Sequence, residues 1–240
     1  MPDPNEYIEK EIEIFDGVLQ KFRDQGVKWS ERSTEDVPFQ SLCVQIMNGV
    51  TQECHQLKIG VRKALPFAAW AARNLLELRI ITAYVLGSKQ NATRFINDRY
   101  PDGIELFEAI VHLQERDSRT TGIPVDSSPA RTTISNLSAE KLKLGLTQKD
   151  NHLEMREMAR TVGLLDEYLD VNRICSKLVH RTAFSVLAFS NSGEFAYFAP
   201  FIFQLGSRYS VEAYTLLEAH ITTYGMKPCG GRTDCQAAPR

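Results

Sequence analysis

No stretch of this sequence is both long and apolar enough to suggest a membrane span. The most apolar run, Phe67 to Gly87, carries Arg73, Glu77 and Arg79. Three charges across ~20 residues suit a buried core helix instead. The first residues do not join a basic segment to an apolar one, so no signal peptide is expected. There is no Gly-rich phosphate loop, no nucleophile elbow and no histidine pair one turn apart around a glutamate. The commonest nucleotide, hydrolase and metalloprotease signatures are thereby missing. Large net charge is also lacking. At −2 the chain has no broad pull toward nucleic acid or anionic lipid, and a nucleic-acid role would need a local basic site. The cysteines are odd in number: Cys43, Cys54, Cys175, Cys229 and Cys235. Three fall in apolar helical patterns, which reads as reduced core thiols of a cytoplasmic protein.

What is present is helical periodicity. Glu6 to Gln25 carries Ile8, Ile12, Phe15, Val18, Leu19 and Phe22 at helical spacing, with Gly26 where a C-terminal cap belongs. Pro38 can open a second helix reaching Leu65. Pro66 then sits at the start of a third, which stops at Gly87. A short helix over 91–99 and another capped by Asp102 follow. Residues 117–128, rich in Ser, Thr, Gly and Pro, read as a mobile connection. Helical patterns resume over 129–145, 147–162 and 164–182. Two apolar runs around Ser190-Asn191-Ser192-Gly193 would suit a β-hairpin, and Pro200 disfavours an uninterrupted helix. Ser210 reads as the N-cap of the last helix and Gly225 as its stop, before a tail over 226–240 with almost no apolar content. The expected fold is an all-α bundle of six to nine helices, with one small hairpin near Ser190 as an option. It forms a single helical domain over 1–225.

Charge is unevenly spread. Met1 to Asp16 holds six acids against one base, and Leu57 to Thr82 holds five bases against one acid. Such faces can meet within one chain or between two subunits, and a homodimer is expected. Cys54 and His55, adjacent on a helix, point in different directions and make a poor chelate. Cys229 and Cys235 lack a second ligand pair. No metal and no cofactor is therefore expected. Arg73 and Glu77, one turn apart in the most apolar helix, read as an ion pair that fixes packing, with Arg73 as an anion contact if the site is functional.

The segment from Asn172 to His180 carries the most chemistry. At ~100° per residue, seven residues are close to two turns. Arg173, Ser176, Lys177 and His180 then share one face, opposite Leu164, Tyr168, Val171, Cys175, Val179 and Val186. Phe184 would join the polar face if the helix continued that far.

An arginine followed by a histidine on a late helix of an all-helical chain resembles the signature of the HEPN superfamily. Six residues intervene here, the upper end of the family's range, and Ile174 stands where the family usually has a polar residue. Arg73-Asn74-Leu75-Leu76-Glu77, with the later Ser176 and His180, also looks like a widespread uncharacterised bacterial helical family. The HEPN resemblance implies a metal-independent endoribonuclease acting on RNA, in phage defence or a toxin–antitoxin setting. His180 would be its general acid or base, Arg173 its phosphate contact, and Ser176, Lys177 and Arg73 further substrate contacts. The alternative is a non-catalytic helical interaction or regulatory module in which Arg173 and His180 are structural.

Overall fold

The computed structural model describes residues 4–30, 37–146, 153–180 and 192–223. Among them are eight helices and no strand: α1 Pro4–Ser30, α2 Val37–Lys63, α3 Leu65–Gly87, α4 Lys89–Thr121, α5 Ser128–Lys143, α6 Met155–Thr161, α7 Leu165–Val179 and α8 Ser192–Thr223. The all-α expectation is met. None of these helices is long and apolar enough to cross a membrane.

The core is built around α8, where Ile202, Tyr209, Tyr214 and Leu217 are fully buried. Helix α1 runs parallel to it, since Phe15 meets Phe203 edge-on and Phe22 stacks on Tyr214. Helix α2 runs antiparallel. Thr51 and Tyr214 share a hydroxyl hydrogen bond of 2.7 Å, and Phe39 meets His220 at the other end. Gly206 admits α8 close to Leu57 of α2 and Leu75 of α3. Each helix thus turns one apolar stripe toward a shared centre, which is how helices of mixed polarity reach stability. The acidic and basic faces meet within the chain: Lys58 pairs with Asp16, and Arg62 with Glu9, between α2 and α1.

Joints are short. Only Ala64 separates α2 from α3, with Pro66 in the first turn of α3. Only Ser88 separates α3 from α4, and its Oγ accepts the Asn91 N–H at 3.0 Å as the α4 N-cap.

Several sequence expectations fail for one physical reason, which is packing that overrides local breakers. Helix α1 continues past Gly26 to Ser30. That glycine caps nothing, and a Cβ there would collide with the Met47 side chain, so it serves close approach. The helices expected over 91–99 and from Asp102 are one helix, α4, passing through Pro101. Among the described residues no part of the expected hairpin is strand, and residues 183–189, its first run, lie outside them. Ser190 and Asn191 lie outside the described residues, and the second apolar run is helical within α8, which also passes through Pro200. Burial of Ala199, Ile202 and Phe203 around Pro200 offsets the ~3 kcal/mol of an interior proline. Ser210 is no N-cap. It is buried in mid-helix and its hydroxyl donates to the Ser207 carbonyl at 2.8 Å. The expected connection over 117–128 is helical at both ends, leaving residues 122–127 between α4 and α5. Of the helix expected over 147–162, residues 155–161 are helical and 147–152 lie outside the described residues. Phe184, Gly225 and the 226–240 tail lie outside them as well.

From Tyr100 onward, α4 leaves the main core, and neither its remaining length nor α5 contributes a residue to it. The two helices instead pair with one another as an antiparallel hairpin. Arg131 pairs with Glu115, and Leu137 lies against Gly103.

Candidate functional site

Helix α3 buries most of its surface, but Arg73, Asn74 and Glu77 fall on a half-buried side. The one-turn spacing lets Arg73 Nε donate to Glu77 Oε1 at 3.0 Å, with the side chains 37% and 24% exposed. The pair is therefore partly solvated. Helix α7 packs against α3 and brings Tyr168 and Cys175 to Arg73. Burial pushes the Tyr168 hydroxyl above its ordinary pKa. Glu77 adds to the shift, while Arg73, within hydrogen-bonding reach of that hydroxyl, opposes it. Burial likewise pushes the Cys175 thiol to about 11 against the pull of Arg73. On the α2 side, Glu53 sits beside Asn74. Burial raises its carboxyl pKa, and the hydrogen bond from Asn74 partly offsets that.

Asn172 lies one turn from both Tyr168 and Ser176. Its Oδ1 is buried without a hydrogen-bond partner, which costs ~1–3 kcal/mol for a neutral polar group. The seam between α3 and α7 is thus polar along Arg73, Glu77, Tyr168 and Asn172, inside an otherwise apolar bundle.

A second cluster holds the first turn of α7 to α8. The buried Tyr209 hydroxyl donates to Glu167 Oε1 at 2.9 Å, and Arg208 pairs with the same carboxylate. Arg208 also donates to the Tyr209 hydroxyl at 2.9 Å and lies 4.8 Å from the centre of its ring. Burial first, then the bond to Glu167, raises the Tyr209 pKa. Arg79 of α3 reaches Glu212 of α8 nearby. Helix α7 is thereby packed on α3 and tied to α8 at its first turn.

That outer face carries Arg173, Lys177 and His180, all exposed, with Ser176 half-buried at its edge. Val171, Cys175 and Leu178 are buried on the inner side; Leu164, Tyr168 and Val179 of the expected apolar stripe are half-buried. Arg173 Nη1 reaches Asp170 Oδ1 at 3.5 Å, and both side chains are mostly in solvent at 75% and 70%. Such a pair contributes little to stability. The helix ends at Val179. His180 is its C-cap, with its N–H donating to the Ser176 carbonyl at 3.0 Å and extended backbone angles, φ −81° and ψ 144°. The helical backbone therefore stops at His180.

Of the residues singled out in the sequence, the structure brings Arg73 to α7 through Tyr168 and Cys175. It sets Arg173, Lys177 and His180 on the open side of the same helix. Sequence reasoning missed Tyr168, Asn172, Glu53 and Asn74. The spacing Tyr168, Asn172, Ser176 was readable as one face, but Tyr168 was counted with the apolar stripe. Cys54 is buried and His55 exposed, so the two do point apart. Among the described residues no three His, Cys, Asp or Glu side chains gather as a metal site. Comparison with family models, curated proteins and solved structures returns no match.

Proposed function

We propose that this chain is a metal-independent endoribonuclease of the HEPN kind, working as a homodimer in a reducing cytoplasm. The observation that carries the reading is the state of α7. Its inner face packs on α3 and its first turn is tied to α8 through Glu167, while Arg173, Lys177 and His180 lie on its exposed face. Rigid support of exposed, chemically able side chains is what a catalytic constellation needs. Three buried thiols, Cys43, Cys54 and Cys175, suit a reducing compartment.

In this reading His180 removes the proton from an RNA 2′-hydroxyl. The oxygen attacks the adjacent phosphorus, the bond to the 5′ oxygen breaks, and that oxygen leaves as a 5′-hydroxyl with a proton from solvent water, to which the protonated His180 returns its own. The other product ends in a 2′,3′-cyclic phosphate. Arg173, ~10 Å along the helix axis from His180, grips two phosphate oxygens as charge builds on them. Ser176, Lys177 and, from the seam, Arg73 contribute further contacts to the phosphate chain.

The test is incubation of purified protein with mixed RNA, with and without a chelator. Cleavage that survives the chelator, leaves cyclic phosphate and is lost in both Arg173→Ala and His180→Ala supports the reading. Both substitutions are on an exposed face and should leave the melting temperature within a few degrees of wild type.

A second reading, a non-catalytic interaction module, is favoured by exposed aromatic residues. Phe67 and Trp70 on α3, and Tyr197 and Phe201 on α8, are exposed at one-turn spacings. Large exposed apolar side chains grouped in this way mark association surfaces. Folded wild-type protein that cuts no RNA would leave this second reading in place.

A further inference from the structure

The α4–α5 hairpin lacks a core of its own. From Tyr100 to the end of α5, only Tyr100, Val111 and Ala130 are buried, and none of the three belongs to the main core. Among the described residues α5 packs on α4 and makes no comparable contact with another helix. Two helices alone bury too little surface to be stable in water. Yet the hairpin leaves Leu106, Leu113, Ile123, Val125, Leu142 and Leu144 between 43% and 79% exposed. Exposed apolar side chains in this number, along one two-helix unit, mark an association surface.

The pattern along α4 indicates what covers it. Leu106 and Leu113 are seven residues apart, hence almost aligned, with Ile110 between them. This stripe lies beside the more buried line of Phe107, Val111 and Gln114, which continues from Gly103, where α4 meets Leu137 of α5. Asp102, Glu105 and Arg116 line its other flank, with both acids toward the base of the hairpin and the arginine toward the tip. Reversing the direction of the helix exchanges the two halves of this pattern. Leu106 falls opposite Leu113, and Arg116 falls opposite Asp102 and Glu105. A face that complements itself when reversed is the mark of a two-fold interface, and acids opposite a base on one flank fix an antiparallel register.

We infer that the α4–α5 hairpins of two copies pair antiparallel about a two-fold axis near Ile110, forming a four-helix bundle. The occupant of the exposed stripe is a second copy of this chain. The interface uses no residue of α7, so Leu113→Glu tests it without touching Arg173 or His180, whose substitution tests the ribonuclease reading. It also leaves the tip residues Ile123 and Val125 of one copy near Leu142 and Leu144 of the other, because the tip of each hairpin reaches the base of its mate.

Sedimentation and light scattering at about 50 µM test the inference. Wild type should show twice the chain mass of 27.2 kDa. Leu113→Glu and Arg116→Glu should each shift the protein to monomer with far-ultraviolet circular dichroism retained. The charge-reversed variant Asp102→Lys/Glu105→Lys/Arg116→Glu should regain the dimer. A wild-type monomer, or a dimer that survives Leu113→Glu, overturns the interface. Failure of the reversed variant to regain the dimer overturns the antiparallel register.

Discussion

Replacing Gly60 by alanine sets two known effects against each other. Gly60 is buried in α2, one turn before Ala64 joins α2 to α3. Within a helix, glycine to alanine ordinarily gains ~1 kcal/mol. Here a Cβ would stand 2.7 Å from the Ala68 Cα and 2.9 Å from the Phe67 carbonyl carbon, and closer still to the Ala68 nitrogen. These are backbone atoms, so no rotamer change relieves the clash. The first turn of α3 must move, loosening the buried Leu65, Ala68, Ala69 and Ala72. Overpacking of this kind costs about 3 kcal/mol or more, leaving a net loss of roughly 2 kcal/mol or more once the ~1 kcal/mol propensity gain is subtracted. At 2–4 °C per kcal/mol for a chain of this size, the melting temperature should fall by about 4–8 °C. Gly17 is the control. It is exposed in α1 and a Cβ there meets nothing within 4 Å, so Gly17→Ala should raise the melting temperature by about 2–4 °C. Gly206→Ala should fall between them, because its Cβ meets the flexible ends of Leu57 and Leu75. Thermal melts followed by far-ultraviolet circular dichroism decide the matter. If Gly60→Ala melts at or above wild type, the close α2–α3 crossing is not a real constraint.

Burial pushes the Cys43 and Cys175 thiols up to about 11 and Cys54 to about 12. Peptides holding these cysteines should therefore escape alkylation near pH 8 until denaturant is added, as mass spectrometry can show. The folded state keeps the three thiols protonated where unfolded ones ionise. Stability is thus full below about pH 9 and falls as pH rises from 9 toward 11; the raised hydroxyl pKa values of Tyr168, Tyr209 and Tyr214 act in the same direction. Denaturant titrations at pH 8 and 10 should show the loss, and equal midpoints would refute it. Tyr209→Phe removes the hydroxyl shared by Glu167 and Arg208 and should lower stability by about 1–2 kcal/mol. Its effect on α7 should appear as faster amide exchange in residues 165–170.

The helical class was legible because periodic apolar spacing survives any detail of packing, and Pro38 and Pro66 sit where helix starts tolerate them. Boundaries were not legible wherever a local breaker lay inside a well-packed helix. Gly26 read as a cap, Pro200 as a break and the stretch before Asp102 as a gap between helices, and all are passed through, because stability at those points comes from neighbours far away in sequence. The site was legible in pieces. Arg73 with Glu77, and Arg173 with His180, each announced themselves by spacing. That Arg73 would meet Tyr168 and Cys175 depends on how α7 lies across α3, which no local pattern encodes. The orphaned Asn172 Oδ1 was invisible for the same reason, since in sequence it is one more polar residue on a helix.

The helix at the centre of the bundle, α8, is also the last described helix to leave the ribosome. At ~5–20 residues per second, about ten seconds or more separate the emergence of α2 from that of α8. For that time Leu19, Leu57 and Leu75, all fully buried in the finished protein, have no α8 to cover them. A nascent chain holding α1 to α3 is therefore a sticky intermediate, of the sort that chaperones bind and that aggregates when crowded. Refolding from denaturant should accordingly lose yield steeply as protein concentration rises, and a separately supplied peptide spanning 192–223 should recover part of it.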